Sequence, residues 1–169
     1  MPKRAVEPLR GERVTLRLIE ERDLALTRTW RNLDHIRRWF FSSEPITPEQ
    51  HEAWFRRYAG RDDDFVFVIE ETRDLVRPVG QVSLYNVDWP RGRAEYGRLM
   101  IGDSAATGRG LARAATELLL EWALGTLALG EVHLEVLADN APAIAVYRAC
   151  GFQESEPEAG VVRMRKTRG

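Results

Sequence analysis

The segment Gly108-Arg109-Gly110-Leu111-Ala112 joins a loop of small residues, 102–108, to a strongly apolar stretch, 111–127. Glycines in this place let the backbone approach a ligand closely. Successive backbone N–H groups at a helix N-terminus then hold an anion such as a pyrophosphate. The same spacing also makes an ordinary tight turn, and on these residues alone both readings stand. Two common nucleotide loops are excluded: no Gly-Lys-Ser/Thr follows the glycines, and Arg113 stands where a Gly-x-Gly-x-x-Gly/Ala fingerprint has its third small residue.

A second segment follows about twenty residues later. Strand-like Leu134-Glu135-Val136-Leu137 leads into Asn140, Ala143, Ile144, Tyr147, Gly151 and Phe152, spaced Asn-x-x-Ala-Ile-x-x-Tyr-x-x-x-Gly-Phe. With the glycine loop upstream, the sequence resembles the GNAT superfamily of acyl-CoA-dependent N-acyltransferases. The resemblance covers about 94–152 at the level of motifs, and the element order fits nearly the whole chain.

The resemblance implies a mixed α/β fold: a sheet of about seven strands flanked by about four helices, with the fourth and fifth strands splayed around acetyl-CoA. It implies that Leu99, Met100 and Ile101 offer backbone groups to the pantetheine arm. It implies that Thr107, Gly108, Arg109, Gly110, Leu111 and Ala112 wrap the pyrophosphate. Asn140 is expected near the pantetheine or thioester end, and Tyr147 near the sulfur as general acid. One departure is Ala105, where the family loop often carries Gln or Arg. A polar contact is lost there, but the backbone cradle does not depend on it.

Acetylating an amine requires a neutral amine, donors for the developing oxyanion, and a proton or dipole for the leaving thiolate. The Tyr147 phenol is a donor at neutral pH and suits the last role; outside its motif it reads more readily as a packed core ring, and the motif favours the acid role. Glu95, in Ala94-Glu95-Tyr96-Gly97, is the candidate base or amine-positioning residue, or else a strand carboxylate paired with Arg93. His133 is the other titratable group on a neighbouring strand, more simply read as packed or at the surface. A backbone carbonyl on a bulged strand is a further acceptor for the amine.

Acceptor choice falls to the first two helices and the loop between them. Trp39, Phe40 and Phe41 either pack helices or line a substrate pocket, with Arg31, Arg37 and Arg38 placed to hold an anionic group such as phosphate. Trp30-Arg31-Asn32 and Ile36-Arg37-Arg38-Trp39-Phe40 resemble GNAT enzymes that acetylate nucleotide-linked amino sugars. Tyr85, within 79–88, extends that likeness to the substrate side. Ribosomal-protein N-terminal acetyltransferases of the RimJ/RimL type share the Trp-Arg-Asn segment. The expected reaction is direct attack by a primary amine of a small molecule, an amino sugar or nucleotide-linked amino sugar, on acetyl-CoA through a tetrahedral intermediate. A protein N-terminal acetyltransferase and an inactive acyl-CoA-binding module are the alternatives.

These residues need a scaffold, and the patterning supplies one. Strands are predicted over 14–18, 65–70, 78–87 (with Gly80 as a bulge), 93–101, 132–136, from 152, and over 161–165. Helices are predicted over 20–32, 34–41, 111–127 and 140–150, the last closed by Gly151. A further helix to about 58 opens with a capping box at Thr47-Pro48-Glu49-Gln50. The chain has 169 residues, 44% hydrophobic and 30% charged, which suits one domain, 1–169, and excludes a disordered chain. A net charge of −1 argues against broad nucleic-acid binding. Cys150 is the only cysteine and the three histidines lack ligand spacing, so neither an intramolecular disulfide nor a metal site is expected. Residues 1–13 show no apolar leader, and charges interrupt the stretch 112–129, so no membrane span and a cytoplasmic location are expected. The sequence leaves the oligomeric state open; the family resemblance allows a homodimer, with the final strands able to pair across an interface.

Overall fold

The computed structural model describes residues 2–169; of the N-terminal stretch 1–13, Met1 lies outside it. Among the described residues, eight strands form one mixed sheet in the order β1-β2-β3-β4-β5-β6-β8-β7. They are β1 (Leu9–Arg10), β2 (Val14–Leu18), β3 (Asp64–Glu71), β4 (Arg77–Asp88), β5 (Arg93–Ile101), β6 (Glu131–Leu137), β7 (Gln153–Glu154) and β8 (Val161–Thr167). The α-helices are α1 (Leu24–Arg31), α2 (Asp34–Arg37), α3 (Pro48–Ala59), α4 (Leu111–Leu120) and α5 (Ala141–Ala149).

The alternation in β3 sets the layering. Phe65, Phe67 and Ile69 point to one face, where they meet Leu111, Ala115 and Leu119 of α4 in a core that also takes Ile144 and Tyr147 of α5. Val66 and Val68 point to the other, against Ile19, Leu24 of α1 and Tyr58 of α3. Each such large side chain, fully buried, contributes about 1.5–3 kcal/mol. The predicted capping box starts α3: Thr47 Oγ1 accepts from the Gln50 N–H at 3.1 Å, and Gln50 Oε1 accepts from the Thr47 N–H at 2.9 Å.

Two features of β5 shape the cleft. It runs parallel to β6 but pairs with it only over Arg93–Glu95 and Glu131–His133. Beyond that β5 follows β4 to Ile101 while β6 follows β8 to Leu137, so the strands part as expected of the fourth and fifth in the predicted count. Second, β5 is bulged. Gln81 faces Met100 and Ser83 faces Gly97, so Arg98 and Leu99 together oppose Val82 alone. Arg98 takes a left-handed φ of +55°.

Several predicted boundaries shift. The edge pair β1 escapes pattern reading because two residues show no period. The helix predicted over 20–32 begins as a 3₁₀ turn, Glu21–Asp23, before α1. The piece predicted over 34–41 closes at Arg37. The helix predicted over 111–127 is α-helical to Leu120 and then widens into a π turn, Glu121–Thr126, where the Leu127 N–H donates to the Trp122 carbonyl at 2.8 Å. That turn carries Trp122, edge-on to Phe65 at 5.6 Å and Phe67 at 5.3 Å. The irregularity expected at Gly80 falls at Val79, which has no partner between the pairs Ile69–Gly80 and Glu70–Pro78.

Candidate active site

The cleft between the parted strands has a volume of about 600 Å³. Leu99, Met100 and Ile101 of β5 line one wall, Leu134, Glu135 and Val136 of β6 the other, with Thr107, Ala112, Asn140 and Tyr147 closing it. The start of α4 reaches it through Thr107 and Ala112, while Gly108, Arg109, Gly110 and Leu111 between them are not on its lining. Gly108 and Gly110 both take left-handed φ, +78° and +75°, and a Cβ built on Gly108 would meet nothing within 4 Å. The loop is therefore an open backbone cradle at the positive end of a helix. Arg109 turns away, donating to the Ala105 carbonyl at 2.8 Å, and Arg13 reaches across to donate to the Arg109 carbonyl. Leu111 is buried in the core, so only its backbone faces this place. Asn140 caps α5, its Oδ1 accepting from the Ala143 N–H at 3.4 Å, which leaves its amide nitrogen for the cleft.

Tyr147 stands on α5 with its ring edge-on to Tyr96 at 5.5 Å and to Phe152 at 5.9 Å. Among the described residues its hydroxyl has no hydrogen-bond partner, while the Tyr96 hydroxyl is occupied by Thr116 Oγ1 at 2.6 Å. Burial raises the Tyr147 phenol above its ordinary value, with Cys150 adding to the shift, so it stays protonated at neutral pH. Burial likewise pushes the Cys150 thiol up to about 11, which leaves it inert.

Glu95 is not among the residues lining the cleft. Its carboxylate lies one hydrogen bond behind it, accepting from the Tyr85 hydroxyl at 2.9 Å and from Asn86 Nδ2 at 3.0 Å. Tyr85 and Gly97 line the cleft. A Cβ on Gly97 would sit 2.9 Å from the Tyr85 oxygen, so glycine is what lets this hydroxyl lie over the strand. Arg93, the alternative partner considered for Glu95, pairs instead with Glu131 at 2.9 Å. His133 faces Glu95 in the β5–β6 ladder but lines a separate groove beside β8.

A second pocket, of about 520 Å³, opens on the α1–α3 side and shares Phe40 and Arg98 with the cleft. Thr27, Arg31, Glu44, His51, Trp54 and Gln81 are on its wall. The Arg98 guanidinium lies 4.0 Å from the Tyr85 ring centroid and 2.9 Å from the Asp64 carboxylate, fixed at the junction of the two spaces. Trp39, Phe40 and Phe41 line the outer cleft, Phe41 being 62% exposed.

The GNAT acetyltransferase domain model matches residues 13–153, which takes in every one of these elements except β1, β8 and the end of β7. The chain belongs to the GNAT acetyltransferase family. An uncharacterized protein of Methanocaldococcus jannaschii is 27% identical over 147 residues, 85% of this chain but 29% of that protein, so the chain spans under a third of that relative. A spermidine N(1)-acetyltransferase of Vibrio cholerae is 24% identical over 144 residues, 85% of this chain and 81% of that enzyme. A crystal structure of the Vibrio cholerae spermidine N-acetyltransferase in complex with CoA and spermine superposes with a TM-score of 0.82 at 24% identity, covering 94% of this chain and 97% of that one. A dodecameric structure of that enzyme gives 0.76 at 23% identity, covering 94% and 95%.

This GNAT domain is an acetyl-CoA-dependent N-acetyltransferase, and its residues fit that donor. The cradle at Gly108 and Gly110 suits a pyrophosphate, and the parted strands suit an extended arm. The sequence does not single out Arg98 or Thr27, and it places Gln81, Glu44 and His51 in substrate-side stretches without giving them a role. The His51 Nε2 lies 3.1 Å from Thr27 Oγ1, and burial, helped by Arg28, lowers its pKa and keeps the imidazole neutral. The pair comes from helices twenty-four residues apart in sequence, and no local motif joins them.

Proposed function

We propose that the protein moves the acetyl group of acetyl-CoA to a primary amine of a small molecule, with an amino sugar or nucleotide-linked amino sugar as the class. The observation that carries this is the convergence of the Tyr147 hydroxyl, the bulged backbone at Arg98–Leu99 and the two ends of the glycine loop, Thr107 and Ala112, on one cleft that meets a second pocket at Arg98. The donor, when bound, supplies an electrophilic thioester carbon.

The chain's own residues then divide the work. The Thr107–Ala112 backbone holds the pyrophosphate. Backbone N–H groups of the β5 bulge, where the register with β4 slips, receive the charge that develops on the acyl oxygen. Tyr147 gives its proton to the departing sulfur. The Tyr85 hydroxyl, bonded to Glu95, accepts from the amine and passes its own proton to the carboxylate, so Glu95 works through Tyr85. The acceptor sits in the second pocket against Phe40, which that pocket shares with the cleft, while Trp39 and Phe41 line the cleft beside it.

A polyamine acceptor is the second reading, favoured by the Vibrio cholerae relatives and by the Glu44 carboxylate on the pocket wall. The test is thiol release from acetyl-CoA against nucleotide-linked amino sugars, aminoglycosides, spermidine and short peptides. Release with amino sugars is the expected result. Release with spermidine or peptides alone overturns the acceptor class, and no release by protein that binds acetyl-CoA supports the inactive module. β8 and β7 close one edge of the sheet and are the elements proposed to pair in a homodimer, which light scattering reads directly.

A further inference from the structure

Arg31 is a cation without an anion. It is 8% exposed and lies on the wall of the pocket that meets the cleft at Arg98. One nitrogen donates to the Ser42 carbonyl, and the guanidinium stacks on Phe40 with 4.0 Å to the ring centroid. Among the described residues no carboxylate lies within 4 Å of it, and Nη1 is buried with no hydrogen-bond partner. The other two arginines of the segment are accounted for: Arg37 bonds Asp34 and the Ser43 carbonyl, each at 3.0 Å, and Arg38 lies over Trp39. A buried charge with an open N–H is costly unless a partner arrives, and a planar guanidinium held on an aromatic ring is pre-set for a carboxylate or phosphate. Arg98, the second cation on this wall, is already paired with Asp64, so it cannot serve as that partner's main anchor.

We propose that the acetyl acceptor carries an oxyanion, a carboxylate or a phosphate, besides its amine, and that Arg31 Nη1 receives it. This rests on reading the second pocket as the acceptor site. It separates this chain from one shaped for a polycation: an all-cationic acceptor would place positive charge beside a desolvated guanidinium.

The test uses the full chain with saturating acetyl-CoA and matched amines: glucosamine, glucosamine 6-phosphate, glucosaminic acid and spermidine. The phosphate or the carboxylate amine is expected to exceed glucosamine in kcat/KM by about 100-fold, and which of the two wins distinguishes the sources. In Arg31→Met, which keeps an apolar stem against Phe40, that preference collapses to within about threefold while acetyl-CoA affinity holds. Inorganic phosphate gives a readout free of turnover: it raises the Tm of the wild-type protein and not of the variant. Glucosamine or spermidine acetylated as well as the anionic amines overturns the inference and leaves acetyl transfer standing. If none of the four amines releases thiol, the phosphate titration decides Arg31 alone: no wild-type shift overturns the anion site, and acetyl transfer is judged by the wider acceptor panel above. Should the variant not fold, the wild-type comparison of the four amines decides.

Discussion

The Glu95 carboxylate accepts the Tyr85 hydroxyl at 2.9 Å, directly over the glycine at position 97. The pair faces across the β4–β5 ladder, so its geometry belongs to the sheet and not to a loop. A Gly97→Ala Cβ would push the Tyr85 ring away from Glu95. We expect Gly97→Ala to lower kcat by more than about tenfold with little change in acetyl-CoA affinity. In a Tyr85→Phe background, which removes the clashing oxygen, the same substitution should cost much less; additive effects would refute the coupling.

Tyr147→Phe leaves the ring packed on Tyr96 and Phe152 and removes only the cleft hydroxyl. Steady-state kinetics should show kcat reduced by about 100-fold, with the acetyl-CoA Kd from titration calorimetry unchanged. Because burial holds this phenol above its ordinary value, the alkaline limb of the wild-type pH profile should not report its ionisation below that value.

Gly110 caps α4 with a φ of +75°, a conformation an L side chain adopts at a cost of about 1–2 kcal/mol. Gly110→Ala should lower stability by that amount in urea unfolding and weaken CoA binding. Gly125→Ala, in the π turn with no positive φ and nothing near its Cβ, is the control expected to leave CoA binding unchanged and to hold or raise stability by up to about 1 kcal/mol.

Asp23 closes the turn that opens α1. Its carboxylate accepts from Arg17 at 2.7 and 2.9 Å and from the Glu20 N–H at 2.8 Å. Burial alone would raise its pKa, but these bonds hold it below the usual carboxylate range. A depressed carboxylate contributes its stability above the unfolded-state value and loses it as pH falls through the folded one. Acid unfolding should therefore steepen below about pH 4 and flatten in Asp23→Ala, which at neutral pH costs about 1–3 kcal/mol, because Arg17 loses its most buried partner but keeps Glu70 at 3.2 Å and Glu20 at 3.3 Å.

The parts of the site legible in sequence are those written locally. Gly108, Gly110, Asn140 and Tyr147 lie on short stretches that the family resemblance makes readable together, where the glycine spacing alone left a plain turn open, and the cap at Thr47 lies within residues 47–50. Arg98 was not legible: Tyr-Gly-Arg-Leu has no turn signature, and its left-handed φ follows from the register imposed by β4. Arg31 was legible as a candidate but not as distinct from Arg37 and Arg38, because only packing shows which of three neighbouring arginines is buried without a carboxylate. Glu95 reads as a base or amine-positioning residue from its place on the strand expected beside the thioester; what the sequence does not show is Tyr85, ten residues away and opposite it in the ladder. The π turn at 121–126 is likewise invisible to an apolar period that simply continues.

The three-residue junction between β5 and β6 has a mechanical meaning as well as a catalytic one. Strands β1–β5 form one hydrogen-bonded unit and β6–β8 another, stitched together at Arg93–Glu95 and by the helices laid across them. Amide exchange should treat them as two cooperative units of unequal protection. A donor spanning both strands completes the seam the sheet leaves open, so the loaded protein should open as one body where the free protein opens as two.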